Sequence, residues 1–314
     1  GAVAVLGGTG FIGRAVATEL LARDRRVAIM ARGASGPGRF AGPARLVTGA
    51  VEDPRALDRA LDAVSWVVYA VGSPPPARSG RASSGRRGAP AGLVALLRAL
   101  EDRPEVGVTF LSSGGAVYGH VESGRAAEDR ACRPRSEYGR SKLAAEEALH
   151  KHSARHGNPA VIARVGNAYG PRQTAADGQG LIAACLDAVR ADRVVDLFGG
   201  GTAVRDYVWI DDVVDALLSL PAQTGAAAVF NVGSGQGHSV AEVIGTIEET
   251  TGRRVPVRSR PARPTDVGRV VLDVSRLGRV APWAPLDLAE GIRRTWDGAP
   301  PPDPAATGVA AAAL

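Results

Sequence analysis

Five consecutive apolar residues, Ala2-Val3-Ala4-Val5-Leu6, follow Gly1, the pattern of a strand covered on both faces rather than one. A glycine-rich turn leads from them into an amphipathic stretch running from Arg14 to Arg23. Further strand-like runs stand at 26–31, 45–48, 65–71, 106–112 and 160–165, with helical spacing at 54–63, 91–101 and 138–155. Strand and helix therefore alternate, which predicts the α/β class and a doubly wound parallel sheet. From about Gly178 the pattern loosens into a helix at 181–191, a short strand at 194–198 and Gly199-Gly200-Gly201. A helix from Asp211, the run Phe230-Asn231-Val232-Gly233, a helix from Ser239 and a strand near 255–259 follow. These predict a smaller C-terminal segment against the carboxyl edge of the sheet. The stretch 72–90 is rich in Pro, Ser, Gly and Arg, and reads either as a surface loop or as an edge of the functional site.

The turn after the first strand is Gly7-Gly8-Thr9-Gly10-Phe11-Ile12-Gly13. In a strand–turn–helix setting this is a dinucleotide fingerprint of the Rossmann type. Gly7 permits the tight turn, Gly10 lets the backbone approach a pyrophosphate, and Gly13 lets helix and strand pack closely. The helix N-terminus supplies N–H groups and a partial positive charge for the phosphates. The second strand ends at Arg32, where a carboxylate would bind a ribose 2′-hydroxyl. Arginine there suits a 2′-phosphate instead, so NADP(H) is expected over NAD(H). Arg14 and Arg39 could assist.

The expected organisation is an NADP-binding Rossmann domain over 1–177, with parts of 200–235 returning to it. A mainly substrate-binding segment is expected over 178–297 and a disordered tail over 298–314.

Composition narrows the chemistry. Only two of the 38 basic residues are lysine, Lys142 and Lys151. Lys142 follows Tyr138 by one helical turn in Ser136-Glu137-Tyr138-Gly139-Arg140-Ser141-Lys142, with Ser136 as the expected N-cap. A neighbouring ammonium favours the phenolate, so Lys142 is expected to lower the Tyr138 pKa toward neutrality.

The net charge of +6 comes from scattered arginines, and aromatics are 4% of the chain, which offers no stacking platform for nucleic acid. No run approaches the ~18 apolar residues of a membrane span, and no signal-peptide pattern precedes the first strand. Cys132 and Cys185 form no disulfide framework, so a reduced cytoplasm is expected. His150, His152 and His156 lack a third ligand at metal spacing, and no metal is expected.

Taken in order, these motifs resemble the extended short-chain dehydrogenase/reductases that act on nucleotide-diphosphate sugars. The resemblance runs from residue 2 to 296. Its cofactor loop is Gly7–Gly13; its central strand and active-site turn are Phe110-Leu111-Ser112-Ser113-Gly114-Gly115-Ala116-Val117-Tyr118-Gly119. Its catalytic pair is Tyr138 and Lys142. The segment Ala163-Arg164-Val165-Gly166-Asn167-Ala168-Tyr169-Gly170-Pro171-Arg172-Gln173 and the segment Arg205-Asp206-Tyr207-Val208-Trp209-Ile210-Asp211-Asp212 match its substrate loops. Arg263-Pro264-Thr265-Asp266 matches a late motif at the nucleotide end.

The resemblance implies cofactor contacts at Gly7, Gly10, Phe11, Ile12, Gly13, Arg32, Val51, Tyr69, Ala70, Tyr138 and Lys142. It implies substrate contacts at Ser113, Gly114, Tyr118, Asn167, Arg205 and Arg263, with both arginines on the diphosphate. It also implies a homodimer through helices near 91–101 and 138–155, for which Leu93, Leu96, Leu97 and Leu100 could supply an apolar face, although core packing against the sheet would use the same residues.

Two positions depart from the family pattern. The catalytic Ser or Thr usually stands three residues before the Val of Val-Tyr-Gly, which here is Gly114; Ser113 or Ser112 supplies the hydroxyl if the turn is shifted, and otherwise Tyr138 and water alone hold the substrate oxygen, with Ser113 structural. The adenine-side acid after the third strand is Ala50, leaving backbone contacts at Val51. Gly114-Gly115-Ala116 in place of Thr-Asp-Glu argues against dehydration, and Ala116 argues against decarboxylation. The reading is NADPH-dependent reduction of a dTDP-4-keto-6-deoxyhexose. A 4-epimerase with tightly bound NAD is the alternative, and a non-catalytic NADP-binding sensor is the reading of another class.

Overall fold

The computed structural model describes residues 1–33, 44–72, 88–173, 180–220, 226–262 and 267–298. Its elements run β1 (Ala2–Leu6), α1 (Phe11–Ala22), β2 (Val27–Ala31), β3 (Ala44–Thr48), α2 (Pro54–Leu61), β4 (Val64–Tyr69), α3 (Ala91–Ala99) and β5 (Gly107–Ser113). Then come α4 (Gly114–Val117), α5 (Glu137–His156), β6 (Ala160–Val165), β7 (Asn167–Tyr169), α6 (Leu181–Ala191), β8 (Val195–Phe198) and β9 (Val204–Trp209). The last are α7 (Ile210–Ser219), β10 (Ala228–Val232), β11 (Gly237–Ser239), α8 (Val240–Thr251), β12 (Val257–Arg260), α9 (Ser275–Gly278) and α10 (Leu288–Gly298).

Seven parallel strands form the main sheet in the order β10-β6-β5-β4-β1-β2-β3. Side chains of β1 alternate between two cores, which is why the strand reads as unbroken apolar sequence. Ala2, Ala4 and Leu6 join the core under α2 and α3, with Leu57, Leu93 and Leu96. Val3 and Val5 join the opposite core under α1 and α7, with Val16, Leu20 and Val213. Strand order reverses between β1 and β4, and the crevice at such a switch point is where open α/β sheets bind ligands.

Smaller units flank the sheet's carboxyl edge: a three-stranded sheet β11-β9-β7 and a parallel pair β12-β8. They share a third core in which Leu181, Cys185, Leu186, Tyr207, Val243 and Ile292 join α6, α8, α10 and β9. The loop after β10 is tied to this region by Asp206, whose buried carboxylate accepts from the backbone N–H groups of Ser234, Gly235 and Leu272 at 2.7–3.1 Å.

Helix α5, which carries the Tyr-Lys pair, starts where the sequence predicts: Ser136 Oγ accepts from the Gly139 N–H at 3.0 Å. It stops at Gly157, whose φ of 83° is the left-handed conformation that glycine adopts without a Cβ penalty. Of the two readings of the leucines at 93–100, a dimer face or packing on the sheet, the structure shows the second. Leu93, Leu96, Leu97 and Leu100 are all buried within the chain, turned onto the sheet rather than outward. The segment 73–87, the Arg263–Asp266 motif and the stretch 299–314 lie outside the described residues, as does Arg39.

Candidate active site

At the switch point a cleft of about 1850 Å³ opens along the carboxyl ends of the strands. That exceeds the roughly 300–1,000 Å³ of a single-ligand pocket, leaving room for a dinucleotide and a second ligand. Gly7, Gly10, Phe11, Ile12, Gly13, Arg32, Val51, Tyr69 and Ala70 line one end. Ser113, Tyr138, Lys142, Asn167 and Arg205 line the rest. Fourteen expected contacts are thus brought into one cavity.

The glycine turn is a cradle that side chains would fill. A Cβ on Gly13 would stand 2.4 Å from the Gly7 carbonyl oxygen, and one on Gly7, at φ 82°, would stand 2.8 Å from that of Ala70. Helix α1 begins at Gly10 with no side-chain cap, so its first N–H groups face the cleft. This geometry fits a dinucleotide diphosphate. Arg32, at the end of β2, stands at the same end of the cavity, where no aspartate or glutamate replaces it.

The chemical end is built by β5 and α5. The Lys142 ammonium, 7% exposed, donates to the Leu111 carbonyl at 2.7 Å and lies 4.9 Å from the Phe110 ring and 5.8 Å from that of Tyr138. Burial pushes its pKa down to about 8, opposed by the charge of Glu146. The Tyr138 hydroxyl hydrogen-bonds with Ser113. Its pKa moves opposite to the expectation from sequence: burial raises it, and the bond to Ser113 offsets this only in part. A positive charge one turn away does not outweigh the loss of water around the phenol.

Two expected substrate contacts lie off the cleft. A Cβ on Gly114 would meet the Leu272 methyls at 2.8 Å, so this position faces the interior. Tyr118 is buried; its hydroxyl donates to Asn231 Oδ1 at 2.7 Å and accepts from Arg164 at 3.0 Å. Burial pushes its pKa up to about 12. The one-residue shift follows from where β5 ends. Ser113 is its last residue and the N-cap of the short α4, with its hydroxyl at the cleft, while Gly114 begins the helix and turns inward. Arg263 lies outside the described residues.

Sequence reasoning missed Tyr207. It pairs with Asn167 across β9 and β7 and shares a face with Arg205, two residues earlier on the same strand. Its hydroxyl is buried in the cleft wall without a hydrogen-bond partner among the described residues. The signal was available as an i, i+2 alternation beside Arg205. Glu52 was also missed; it lines the cleft next to Val51, whereas Ala50 does not. Among the described residues no cluster of three or more His, Cys, Asp or Glu could hold a metal ion, and no helix is long and apolar enough to cross a membrane.

Residues 3–233 match the model of the NAD dependent epimerase/dehydratase family. A dTDP-6-deoxy-L-talose 4-dehydrogenase (NAD(P)(+)) of Kitasatospora kifunensis is 32% identical over 94% of this chain and 94% of its own length. A UDP-glucose 4-epimerase of Mycolicibacterium smegmatis is 35% identical over 60% of each chain. The matches to several other curated relatives likewise span about 60% of those proteins. Among solved structures, the Thermus thermophilus UDP-glucose 4-epimerase in complex with NAD superimposes with a TM-score of 0.83 at 31% identity, covering 95% of this chain and 98% of that one. By the family match and by these relatives, this chain belongs to the NAD-dependent epimerase/dehydratase family, the extended short-chain dehydrogenase/reductases.

Proposed function

We propose that the protein is an NADPH-dependent ketoreductase acting on a nucleotide-diphosphate keto-sugar, of the dTDP-4-keto-6-deoxyhexose type. The observation that carries this reading is the meeting, in one cleft, of the Ser113–Tyr138–Lys142 group with a glycine cradle and Arg32. Bound NADPH supplies hydride to the ketone carbon. Gly7, Gly10 and Gly13 admit the diphosphate, the N-terminus of α1 donates to it, and Arg32 pairs with a 2′-phosphate.

Tyr138 hydrogen-bonds the ketone oxygen and gives it a proton as the alkoxide forms. Its raised pKa keeps it in the acid form that reduction requires. Ser113 holds the same oxygen and orients the phenol. Lys142, fixed on the Leu111 carbonyl, holds a positive charge beside the developing alkoxide. Arg205 binds the substrate diphosphate, Asn167 a sugar or phosphate oxygen, and the unpartnered Tyr207 hydroxyl adds a third donor on that face. Remote binding of the nucleotide orients the reacting carbon.

Support for reductase over epimerase comes from Arg32 and from the Kitasatospora relative, named as a 4-dehydrogenase of either cofactor. A 4-epimerase retaining NAD is the second reading, favoured by the similar proteins named UDP-glucose 4-epimerase. The test is NADPH absorbance with a dTDP-4-keto-6-deoxyhexose. Stoichiometric consumption, reduced by roughly 10²- to 10⁴-fold in Tyr138→Phe while cofactor still binds, is expected. Interconversion of a hexose with no net NADPH loss would replace the reductase by the epimerase.

A further inference from the structure

Behind the chemical end, and joined to it, lies a buried polar network of Ser112, Glu146, Arg164, Tyr118 and Asn231 that the proposed reaction does not use. Three residues at the end of β5 are bonded to three successive turns of α5. The Ser113 hydroxyl meets Tyr138, the Leu111 carbonyl accepts from Lys142 at 2.7 Å, and the Ser112 hydroxyl donates to Glu146. Glu146 is 2% exposed and forms a forked ion pair with Arg164 of β6, with Nη2 at 2.7 Å and Nε at 3.1 Å from Oε2. Arg164 also donates to the Tyr118 hydroxyl at 3.0 Å and the Glu128 carbonyl at 3.1 Å. Asn231 of β10 closes the network, accepting from Tyr118 and donating to the Ala126 and Asp273 carbonyls.

We propose that Glu146 is a positioning residue for the Ser113–Tyr138–Lys142 group, registering α5 on the end of β5 and supplying the buried negative charge that the Lys142 ammonium faces. This deepens the reductase reading, on which the roles of Tyr138 and Lys142 rest. Lys142 and Glu146 stand four residues apart on one helix face, so carboxylate and ammonium are neighbours. Among the described residues, Lys142 also meets Tyr138 on α5 and the Phe110 ring and Leu111 carbonyl on β5, with Arg164 on β6 beyond the carboxylate. Of the charged groups among these, Glu146 alone is negative, and its field opposes the burial that lowers the Lys142 pKa.

A merely structural tie between α5 and β6 would hold the fold without governing the charge state of Lys142. The arginine-rich composition allows a direct test, because Lys142 and Lys151 are the only lysines. In protein labelled with ¹³C at the lysine Cε, carbon NMR gives two signals, and Lys151→Arg identifies them. The native Lys142 signal should titrate with a midpoint near 8. In Glu146→Gln the midpoint should fall by about one pH unit or more, because an attractive charge is lost. Glu146→Asp, which keeps the charge, should hold it closer to the native value.

If the single amide variant leaves Arg164 unpaired and does not fold, Glu146→Gln/Arg164→Gln removes both charges and should still lower the midpoint, by less, because the nearer carboxylate outweighs the guanidinium beyond it. A midpoint that stays at its native value, or rises, in either folded amide variant overturns the proposal. No substrate or cofactor is present in this experiment. Its failure is therefore distinct from failure of the reductase reading, which is judged by NADPH consumption in the native protein.

Discussion

Placing a methyl group on Gly114 tests whether the hydroxyl of the site belongs to residue 113. The new Cβ would stand 2.8 Å from both Leu272 methyls and 3.1 Å from the Arg164 carbonyl oxygen. Ordinary carbon contacts lie at about 3.5–4.0 Å, so two methyls of a fully buried leucine must retreat by roughly 1 Å. Overpacking of this kind costs about 1–3 kcal/mol. Gly114 does not have a positive φ, so alanine there also gains about 0.4–1 kcal/mol through the unfolded chain. The net loss for Gly114→Ala is roughly 1–2 kcal/mol, or a fall in Tm of roughly 1.5–3 °C by differential scanning calorimetry. Gly114→Ser should fall further, since its hydroxyl enters the same apolar contact, and it should not restore turnover to Ser113→Ala. In a double-mutant cycle with Leu272→Ala, the penalty of Gly114→Ala should largely vanish, because the methyls it meets are gone. Unchanged Tm in Gly114→Ser, together with rescue of Ser113→Ala, would refute the inward direction of residue 114 and return the catalytic hydroxyl to the usual family position.

Two other expectations concern charge. Arg32→Ala should weaken NADPH binding by roughly 10- to 150-fold, the loss of one charge-assisted contact, and leave NADH binding nearly unchanged; equal weakening of both by fluorescence titration would remove the argument for a 2′-phosphate. Lys142 is depressed from 10.5 to about 8 in the fold, so across that window the unfolded chain binds a proton that the folded chain lacks, and this group's contribution to stability rises with pH. Urea unfolding of the native protein and Lys142→Met should therefore show their stability difference changing by roughly 3 kcal/mol in favour of the native chain between pH 7.5 and 10.5; a pH-independent difference would contradict the buried ammonium.

The parts of this architecture that depend on local spacing were legible in the chain. Val3 and Val5 interleave with Ala4 and Leu6 as a doubly covered strand, Gly7–Gly13 form the cradle, and Ser136 caps the helix that brings Tyr138 and Lys142 together. What escaped depends on contacts between distant segments. The direction of Gly114 is decided by Leu272, and the fate of the Tyr118 hydroxyl by Arg164 and Asn231. The displacement of the Tyr138 pKa is decided by how much water its packing removes, which an i, i+4 spacing cannot express. Leu93 and Leu96 show the same limit, because an apolar helix face is the same pattern whether it meets a sheet or a second subunit.

Strand β10 comes from beyond residue 220, yet it pairs with β6 through five consecutive positions, Ala228 to Val232, and forms the outer edge of the main sheet. The chain thus leaves the nucleotide half, builds most of the opposite wall, and returns to stitch the first half shut. A fragment ending at residue 177 would leave β6 as a bare edge, strip Asn231 from the Tyr118 hydroxyl and the Glu128 carboxylate, and invite strand-to-strand aggregation. The two halves are consequently joined by a shared sheet, and a substitution at Asn231 on one wall of that seam reaches Tyr118 and Glu128 on the other.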